Sequence, residues 1–123
     1  IQEYYNLLQK ILIGYLQSYP EVNKLPTFTA TTARIQKYGI DGHFNTWHHE
    51  RGGGDTQNRC LVYMTYLNDV EEGGETYFKY QNKKIKPEVG KTIIWPSDWT
   101  HTHKGVSPKS GLKYIATGWY VHT

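Results

Sequence analysis

The sequence predicts a single domain over residues 1–123, mainly β, built as a β-sandwich or barrel (a jelly roll included) with one helix packed on its outside. Its 123 residues suit one domain with one core. After the first 25 residues come seven short runs of β-like composition, separated by segments rich in glycine and other turn residues. The mean hydropathy is -0.69 and apolar runs are short, so we expect a soluble protein without a membrane span.

One amphipathic helix is predicted at the N-terminus, over about residues 3–18. Apolar side chains recur there at helical spacing, so one face should be buried; they are Tyr4, Leu7, Leu8, Ile11 and Tyr15. Gly14 weakens this helix, and Ser18, Tyr19 and Pro20 end it. We expect it to pack against a β core of about residues 27–121.

Seven strands are predicted for that core, and glycine-containing turns separate most of them. They cover residues 27–32, 33–38, 43–49, 59–67, 75–80, 91–95 and 113–121. Cys60 is the single cysteine of the chain, which excludes an internal disulfide framework and favours a reducing, cytoplasmic compartment. The net charge of +3 is mild, so it hints at acidic partners without forming a nucleic-acid footprint.

Two histidine-containing segments carry the strongest chemical signal. Residues two apart on a strand share a face, so His48 and Glu50 can meet one metal ion, whereas His49 faces away. His101 and His103 alternate in the same way, and from spacing alone either could supply a third ligand. Two histidines and one carboxylate leave coordination positions open, as in non-haem Fe(II) oxygenases. Either segment alone would most simply be a polar edge strand. Two histidine-containing segments in one small domain favour a metal-binding site.

Lys113 opens a predicted strand whose alternation places it on one face with Ile115, Thr117 and Trp119. A buried ammonium is costly unless it is paired, so an anionic ligand that pairs with Lys113 would explain a lysine on this apolar face. The alternative is a lysine at a strand start that simply reaches water.

Together these residues resemble the 2-oxoglutarate/Fe(II)-dependent oxygenases of the prolyl 4-hydroxylase type, from about residue 34 to residue 120. Segments 59–76 and 86–91 are similar to the family's strands and turns. The family's distal histidine is followed eight residues later by Gly and ten later by Lys or Arg, which His103, Gly111 and Lys113 satisfy and His101 does not. The resemblance implies a double-stranded β-helix (jelly roll), with His48, Glu50 and His103 as the catalytic iron ligands.

The resemblance also implies Fe(II), 2-oxoglutarate and O2, with ascorbate as a candidate reductant. Lys113 resembles the partner of the distal 2-oxoglutarate carboxylate. Where this family has a pocket tyrosine the chain has Thr65, and Tyr63 is expected to take its place. The residues that the resemblance places in the co-substrate pocket are therefore Tyr38, Tyr63, Thr76, Thr117 and Trp119. We expect Arg59, Trp47 and Trp99 to contact the substrate. For the two tryptophans, the alternative is that they only pack against neighbouring side chains.

The activity implied is hydroxylation of an unactivated C–H bond, most simply of a prolyl residue in a peptide or protein, with release of succinate and CO2. Glu50 stands where the family usually has Asp; related halogenases have a small residue there, so Glu50 favours hydroxylation. Alternatives are a free amino acid or small metabolite as substrate, a zinc hydrolase and a jelly-roll binding module without catalysis. No arginine follows His103, so a nucleic-acid substrate is not expected. We expect a monomer or small homo-oligomer.

Overall fold

Two antiparallel sheets form the core within residues 1–42 and 45–123, the part of the chain that this computed structural model describes. Helix α1 is Gln2–Ser18, and short 3-10 turns follow at Pro20–Lys24, Gly54–Thr56 and Trp99–His101. The strands are β1 Phe28–Ala30, β2 Arg34–Tyr38, β3 Arg59–Tyr66, β4 Thr76–Phe78, β5 Lys83–Ile85, β6 Thr92–Pro96, β7 His103–Gly105 and β8 Lys113–His122. The jelly-roll fold with an N-terminal packing helix is thus confirmed.

The larger sheet has the order β1-β8-β3-β6, and β2 also pairs with β8. Because side chains alternate across β3 and β8, this sheet buries two separate apolar layers. The layer against α1 contains Leu8, Leu12, Cys60, Leu61, Tyr63 and Tyr120. The layer against the smaller sheet contains Val62, Met64, Tyr66, Phe78, Trp95 and Ile115.

A β-bulge interrupts β3 at its start. The register with β8 shifts between Arg59 and Leu61, and both Cys60 and Leu61 join the layer beside α1. The extra residue returns Arg59 to the opposite face, where its guanidinium carbon lies 3.7 Å from the centre of the Trp119 ring. The bulge therefore turns a basic side chain toward the interior between the sheets.

The smaller sheet has the order β5-β4-β7. Thr76 and Phe78 of β4 are buried on its inner face, and Tyr77 points outward between them. An isolated antiparallel bridge between His48 and His103 continues this sheet beyond β7. The bridge joins two segments that are more than fifty residues apart in sequence.

Tyrosine side chains fasten α1 to the larger sheet. The Tyr4 hydroxyl lies 2.8 Å from the Thr65 hydroxyl, and the Tyr5 hydroxyl accepts a hydrogen bond from the Ala33 backbone N–H. The Tyr63 hydroxyl donates to the Thr31 carbonyl on the same side. None of the helices among the described residues is long and apolar enough to cross a membrane.

The predicted elements differ from the observed ones at three points. On α1 the buried leucines are Leu8 and Leu12, whereas Leu7, which we expected on the buried face, is 54% exposed. In place of the strand predicted over residues 43–49, residues 45–49 form only the bridge at His48, and residues 43 and 44 lie outside the described part. Strands β5 and β7 were not predicted; each has three residues and is formed by pairing with β4.

Candidate active site

Three side chains from distant parts of the chain converge at one end of the space between the sheets. His48 Nε2 lies 3.1 Å and His103 Nε2 3.2 Å from the same oxygen, Oε2 of Glu50. One ligand atom from each of the three residues lies within 4.8 Å of the others. The imidazole rings of His48 and His103 have centres 4.4 Å apart. Two imidazole nitrogens and one carboxylate oxygen in this arrangement form a donor set suited to a divalent transition metal.

Backbone carbonyls hold both imidazole rings in the orientation that a metal needs. Nδ1 of His48 lies 2.8 Å from the Thr46 carbonyl, and Nδ1 of His103 lies 2.9 Å from the His101 carbonyl. Because a carbonyl only accepts, each Nδ1 carries a proton and each Nε2 points to the centre of the cluster, where it donates to Glu50 when protonated and would bind a metal ion when deprotonated.

The backbone of the same residues is fixed by further hydrogen bonds. His48 and His103 exchange backbone hydrogen bonds of 3.0 and 2.9 Å. Glu50 N–H donates to the Ser97 carbonyl, and Arg59 Nη1 donates to the Glu50 carbonyl. Arg51 N–H also donates to Ser97, so the start of the loop after Glu50 is tied to the end of β6. The ligand segment is therefore held from both sheets, although it is not itself a strand.

The electrostatics of the cluster favour a charged carboxylate. Burial opposes ionisation of Glu50, but hydrogen bonds from His103 and His48 outweigh it and hold the pKa of Glu50 well below its usual range. Burial lowers the pKa of His48, whereas its contacts with Glu50 and the Thr46 carbonyl raise it, and the net direction is upward. A metal ion would compete with protons for these nitrogens.

Lys113 lies in the same cavity as the His48, Glu50 and His103 cluster. The cavity has a volume of about 380 Å³, and the lysine side chain is only 5% exposed. Burial lowers the pKa of Lys113 to about 8, although the Glu75 carboxylate raises it. Its ammonium lies 5.4 Å from the Tyr38 ring centre and 5.7 Å from that of Tyr66. Within the described part of the chain it forms no ion pair, so a carboxylate of a bound ligand would be a matching partner.

Most of the residues predicted for the co-substrate pocket lie around this cavity. Its lining includes Tyr38, Thr76, Thr117 and Trp119, as expected. The Tyr38 hydroxyl donates to Gln36, and the Thr76 hydroxyl lies 2.6 Å from that of Tyr66. Lining residues that were not expected from the sequence include Val62, Met64 and Pro108. The signal for Val62 and Met64 was available, since they alternate along β3 with Leu61 and Tyr63, which face α1.

Two indole nitrogens bear on what the cavity can bind. Nε1 of Trp95 and Nε1 of Trp119 are both buried, and neither has a hydrogen-bond partner among the residues described. Buried donors normally find an acceptor, so a ligand in this cavity would have two N–H groups available beside it.

Four predicted residues need separate placement. The expectation that Tyr63 lines the pocket is wrong: it is fully buried on the α1 side of β3, where its hydroxyl donates to the Thr31 carbonyl. Trp99, expected to contact substrate, is 66% exposed in a 3-10 turn and is absent from the cavity lining. Arg59 stacks on Trp119 beside the cavity. Trp47 packs against Tyr77, with ring centres 5.1 Å apart.

Comparison with curated proteins finds prolyl 4-hydroxylases. The probable prolyl 4-hydroxylase 9 of Arabidopsis thaliana is 30% identical over 106 residues, which cover 68% of this chain and 36% of that protein. The putative prolyl 4-hydroxylase of Acanthamoeba polyphaga mimivirus is 35% identical over 79 residues, covering 58% of this chain and 31% of that protein. The chain thus spans about a third of the length of these relatives.

Solved structures with the same fold are also prolyl hydroxylases. The viral collagen prolyl hydroxylase of Paramecium bursaria Chlorella virus-1, solved as a 2OG complex, matches with a TM-score of 0.77 and 25% identity over 94% of this chain and 71% of that one. A Trichoplax adhaerens prolyl hydroxylase, solved with a hypoxia inducible factor peptide, matches with a TM-score of 0.60 and 23% identity over 89% and 56%. The family model of the 2OG-Fe(II) oxygenase superfamily matches residues 33–121. The chain therefore belongs to the 2OG-Fe(II) oxygenase superfamily.

Proposed function

We propose that this protein is a 2-oxoglutarate- and O2-dependent Fe(II) dioxygenase that hydroxylates a prolyl residue in a peptide or protein. One observation carries the proposal: a single cavity holds a cluster of two imidazoles and a carboxylate together with a buried lysine that forms no ion pair among the described residues. A metal-chelating dicarboxylate such as 2-oxoglutarate has a group for each. The prolyl substrate is supported by the prolyl hydroxylases among the relatives and structural neighbours.

The residues present fit both groups. His48 Nε2, His103 Nε2 and a Glu50 oxygen would hold Fe(II), and two carbonyls already fix the ring orientations this requires. When bound, Fe(II) would supply the activation of O2 that couples conversion of 2-oxoglutarate to succinate and CO2 with insertion of one oxygen atom into a C–H bond. The protonated Lys113 would bind the distal carboxylate of 2-oxoglutarate as a point charge.

The other side chains around the cavity hold the site in position and shield it from water. Val62, Met64 and Ile115 give the cavity an apolar wall that keeps water away from the reacting groups. Arg59 holds the Glu50 carbonyl and covers one face of Trp119, so it keeps two parts of the site in place at once. Trp119 Nε1 would donate to a bound acid or to the substrate. The protein thus contributes orientation and charge, while the metal contributes the redox chemistry.

The test is turnover with defined peptides. Protein loaded with Fe(II) is incubated in air with 2-oxoglutarate, ascorbate and proline-containing peptides, and both succinate and the gain of one oxygen atom by the peptide are measured. His103→Ala should abolish both and lower the bound iron content. His101→Ala is the matched control, since its side chain is outside the cluster and should leave iron content unchanged.

Two results would contradict the proposal in different ways. Zinc retained after purification, no 2-oxoglutarate binding and no succinate would move the assignment to a zinc site or a binding module. Succinate that requires His103 but is unaffected by every peptide, and rises with a free amino acid, would keep the oxygenase and replace the prolyl substrate with a small molecule.

A further inference from the structure

A basic surface lies on the outer side of the smaller sheet. The register pairs Tyr77 of β4 with Lys84 of β5 on one side and with Lys104 of β7 on the other, so the three side chains form one row facing away from the buried Thr76 and Phe78. Lys79 and Trp47 adjoin this row. We call Trp47, Tyr77, Lys79, Lys84 and Lys104 the basic face.

The charge of the chain is concentrated at this face and next to it. Residues 76–87 contain four lysines and no acidic residue, and Lys104 is a fifth lysine in the same region. The whole chain has 14 basic and 11 acidic residues, so outside this region nine basic residues are outnumbered by acidic ones. In the described part of the chain, Lys79, Lys84 and Lys104 make no ion pair. The positive charge here is unneutralised.

Aromatic rings hold these ammonium groups in place. The Lys104 ammonium lies 4.5 Å from the Trp47 ring centre and 5.9 Å from that of Tyr77. Lys84 lies 4.9 Å from Tyr77, and Lys79 lies 5.7 Å from Trp47. Cation–π contacts restrict long side chains that would otherwise sample many rotamers. A ligand therefore meets charges that are already ordered, and it pays less entropy to bind them.

The basic face is the reverse side of the segments that carry two of the cluster residues. Trp47 directly precedes His48, and Lys104 directly follows His103. The backbones of His48 and His103 are bridged, so the residues beside them are displayed next to each other. A polypeptide that enters the cavity would reach the lysines by passing over the segment that carries Trp47 and His48.

We propose that the basic face binds an acidic segment of the polypeptide substrate, at a distance in sequence from the residue that is modified. This inference rests on the proposed function, because it takes the substrate to be a polypeptide. Carboxylates match the unpaired ammonium groups. A single-stranded nucleic acid would need open aromatic faces for its bases, and here lysine ammonium groups lie over the rings of Trp47 and Tyr77.

The experiment compares peptides that differ only in a block beside the proline. One series carries a block of glutamates at several spacings on either side, and its matched series carries glutamines. For the iron-loaded protein, the glutamate block is expected to lower KM about tenfold at one spacing with kcat unchanged, since exposed pairs each contribute factors of about two to five. The difference should disappear at high salt.

Variants then assign the effect to the basic face. Lys79→Gln combined with Lys84→Gln should remove the preference for glutamate while leaving KM for the glutamine peptide and for 2-oxoglutarate unchanged. Lys10→Gln combined with Lys24→Gln is the control; it removes the same charge from exposed positions on the N-terminal elements and should keep the preference.

Binding of a fluorescent glutamate peptide that lacks proline is measured in parallel, with a single-stranded oligonucleotide of equal charge as competitor. Salt-sensitive binding that needs Lys79 and Lys84, without turnover of any proline peptide, would support the docking surface and overturn the prolyl substrate. Equal KM values for glutamate and glutamine peptides, or equal loss in both pairs of lysine variants, would overturn the docking proposal. Stronger binding of the oligonucleotide would overturn it in favour of nucleic acid.

Discussion

Replacing Lys113 with methionine should stabilise the ligand-free protein while removing 2-oxoglutarate binding. Burial lowers the pKa of Lys113 from an ordinary 10.5 to about 8, despite the opposing effect of Glu75. A change of one in pKa corresponds to about 1.4 kcal/mol, so the buried ammonium costs the folded state about 3 kcal/mol at pH 7. Methionine keeps a stem of similar length without the charge. We therefore expect Lys113→Met to raise the free energy of unfolding by about 2–3 kcal/mol, the cation–π contacts with Tyr38 and Tyr66 accounting for the lower value.

The gain should depend on pH in a defined direction. Below about pH 8 the lysine is protonated in both the folded and the unfolded state, so the full cost is present. Between about pH 8 and 10.5 the folded protein has lost this proton and the unfolded chain still holds it, so the cost declines. The stability difference between variant and wild type should fall from about 2–3 kcal/mol at pH 7 to about 1 kcal/mol or less at pH 10.

The assay is urea unfolding of both proteins at pH 7 and pH 10, without metal or 2-oxoglutarate, followed by the same measurement with both added. Metal alone should stabilise both proteins, whereas 2-oxoglutarate added to the metal-loaded proteins should stabilise only the wild type, because the variant keeps the three cluster residues and lacks the ammonium. Lys109→Met is the control, because Lys109 is exposed and paired with Asp41; it should change stability by less than about 0.5 kcal/mol. A Lys113→Met protein less stable than wild type at pH 7, or a difference that does not shrink by pH 10, would refute the reasoning.

Three further predictions test the packing and the support of the site. Gly118→Ala should cost about 1–3 kcal/mol of stability, measured by urea unfolding, because a Cβ there overlaps the Tyr63 phenol ring, and an unchanged midpoint would mean that this ring is free to move. Leu12→Ala should cost about 2–4 kcal/mol and Leu7→Ala less than about 0.5, since only the first is buried; equal losses would contradict the orientation of α1. Asp98→Asn should weaken Fe(II) binding about tenfold in a metal titration, because it removes the carboxylate that pairs with the arginine following Glu50, and unaltered affinity would show that this pair does not position the ligand segment.

Alternation along a long strand was predictable from the sequence. Lys113, Ile115, Thr117 and Trp119 line one cavity as their spacing indicated, because β8 is regular and pairs with three other strands. Successive side chains point to opposite faces of a sheet wherever the pairing of the strand is uninterrupted. The face of this strand could be derived before the structure was known, whereas the burial of Lys113 could not, because a lysine at a strand start can also reach water.

The same reasoning failed across β3, and for a physical reason. At the bulge, β3 has one residue more than β8, and this places Arg59 on the face opposite to Leu61 and Tyr63. The composition of this segment does not indicate a bulge. Strict alternation from Arg59 would therefore place Tyr63 on the cavity side of the sheet, whereas it lies on the α1 side. The short strands β5 and β7 were missed because their three residues have no period of their own and are defined only by their partner β4.

The choice between His101 and His103 also depended on backbone that spacing does not reveal. His101 lies in a 3-10 turn and His103 in the strand that follows it, so the two do not belong to one alternating segment. The resemblance to a family selected His103, and the bridge to His48 is the structural reason why only His103 meets Glu50.

That bridge has a consequence for solubility. Strand β7 pairs with β4 on one side, and on its other side the described residues provide only the single bridge at His48. Open strand edges recruit strands from other molecules, and proteins usually guard them. Here the segment of residues 45–49 covers the free edge of β7, and its position depends partly on the cluster residues His48 and Glu50. We expect loss of the metal to loosen this guard, so that chelation favours self-association through β7 and storage with bound metal suppresses it.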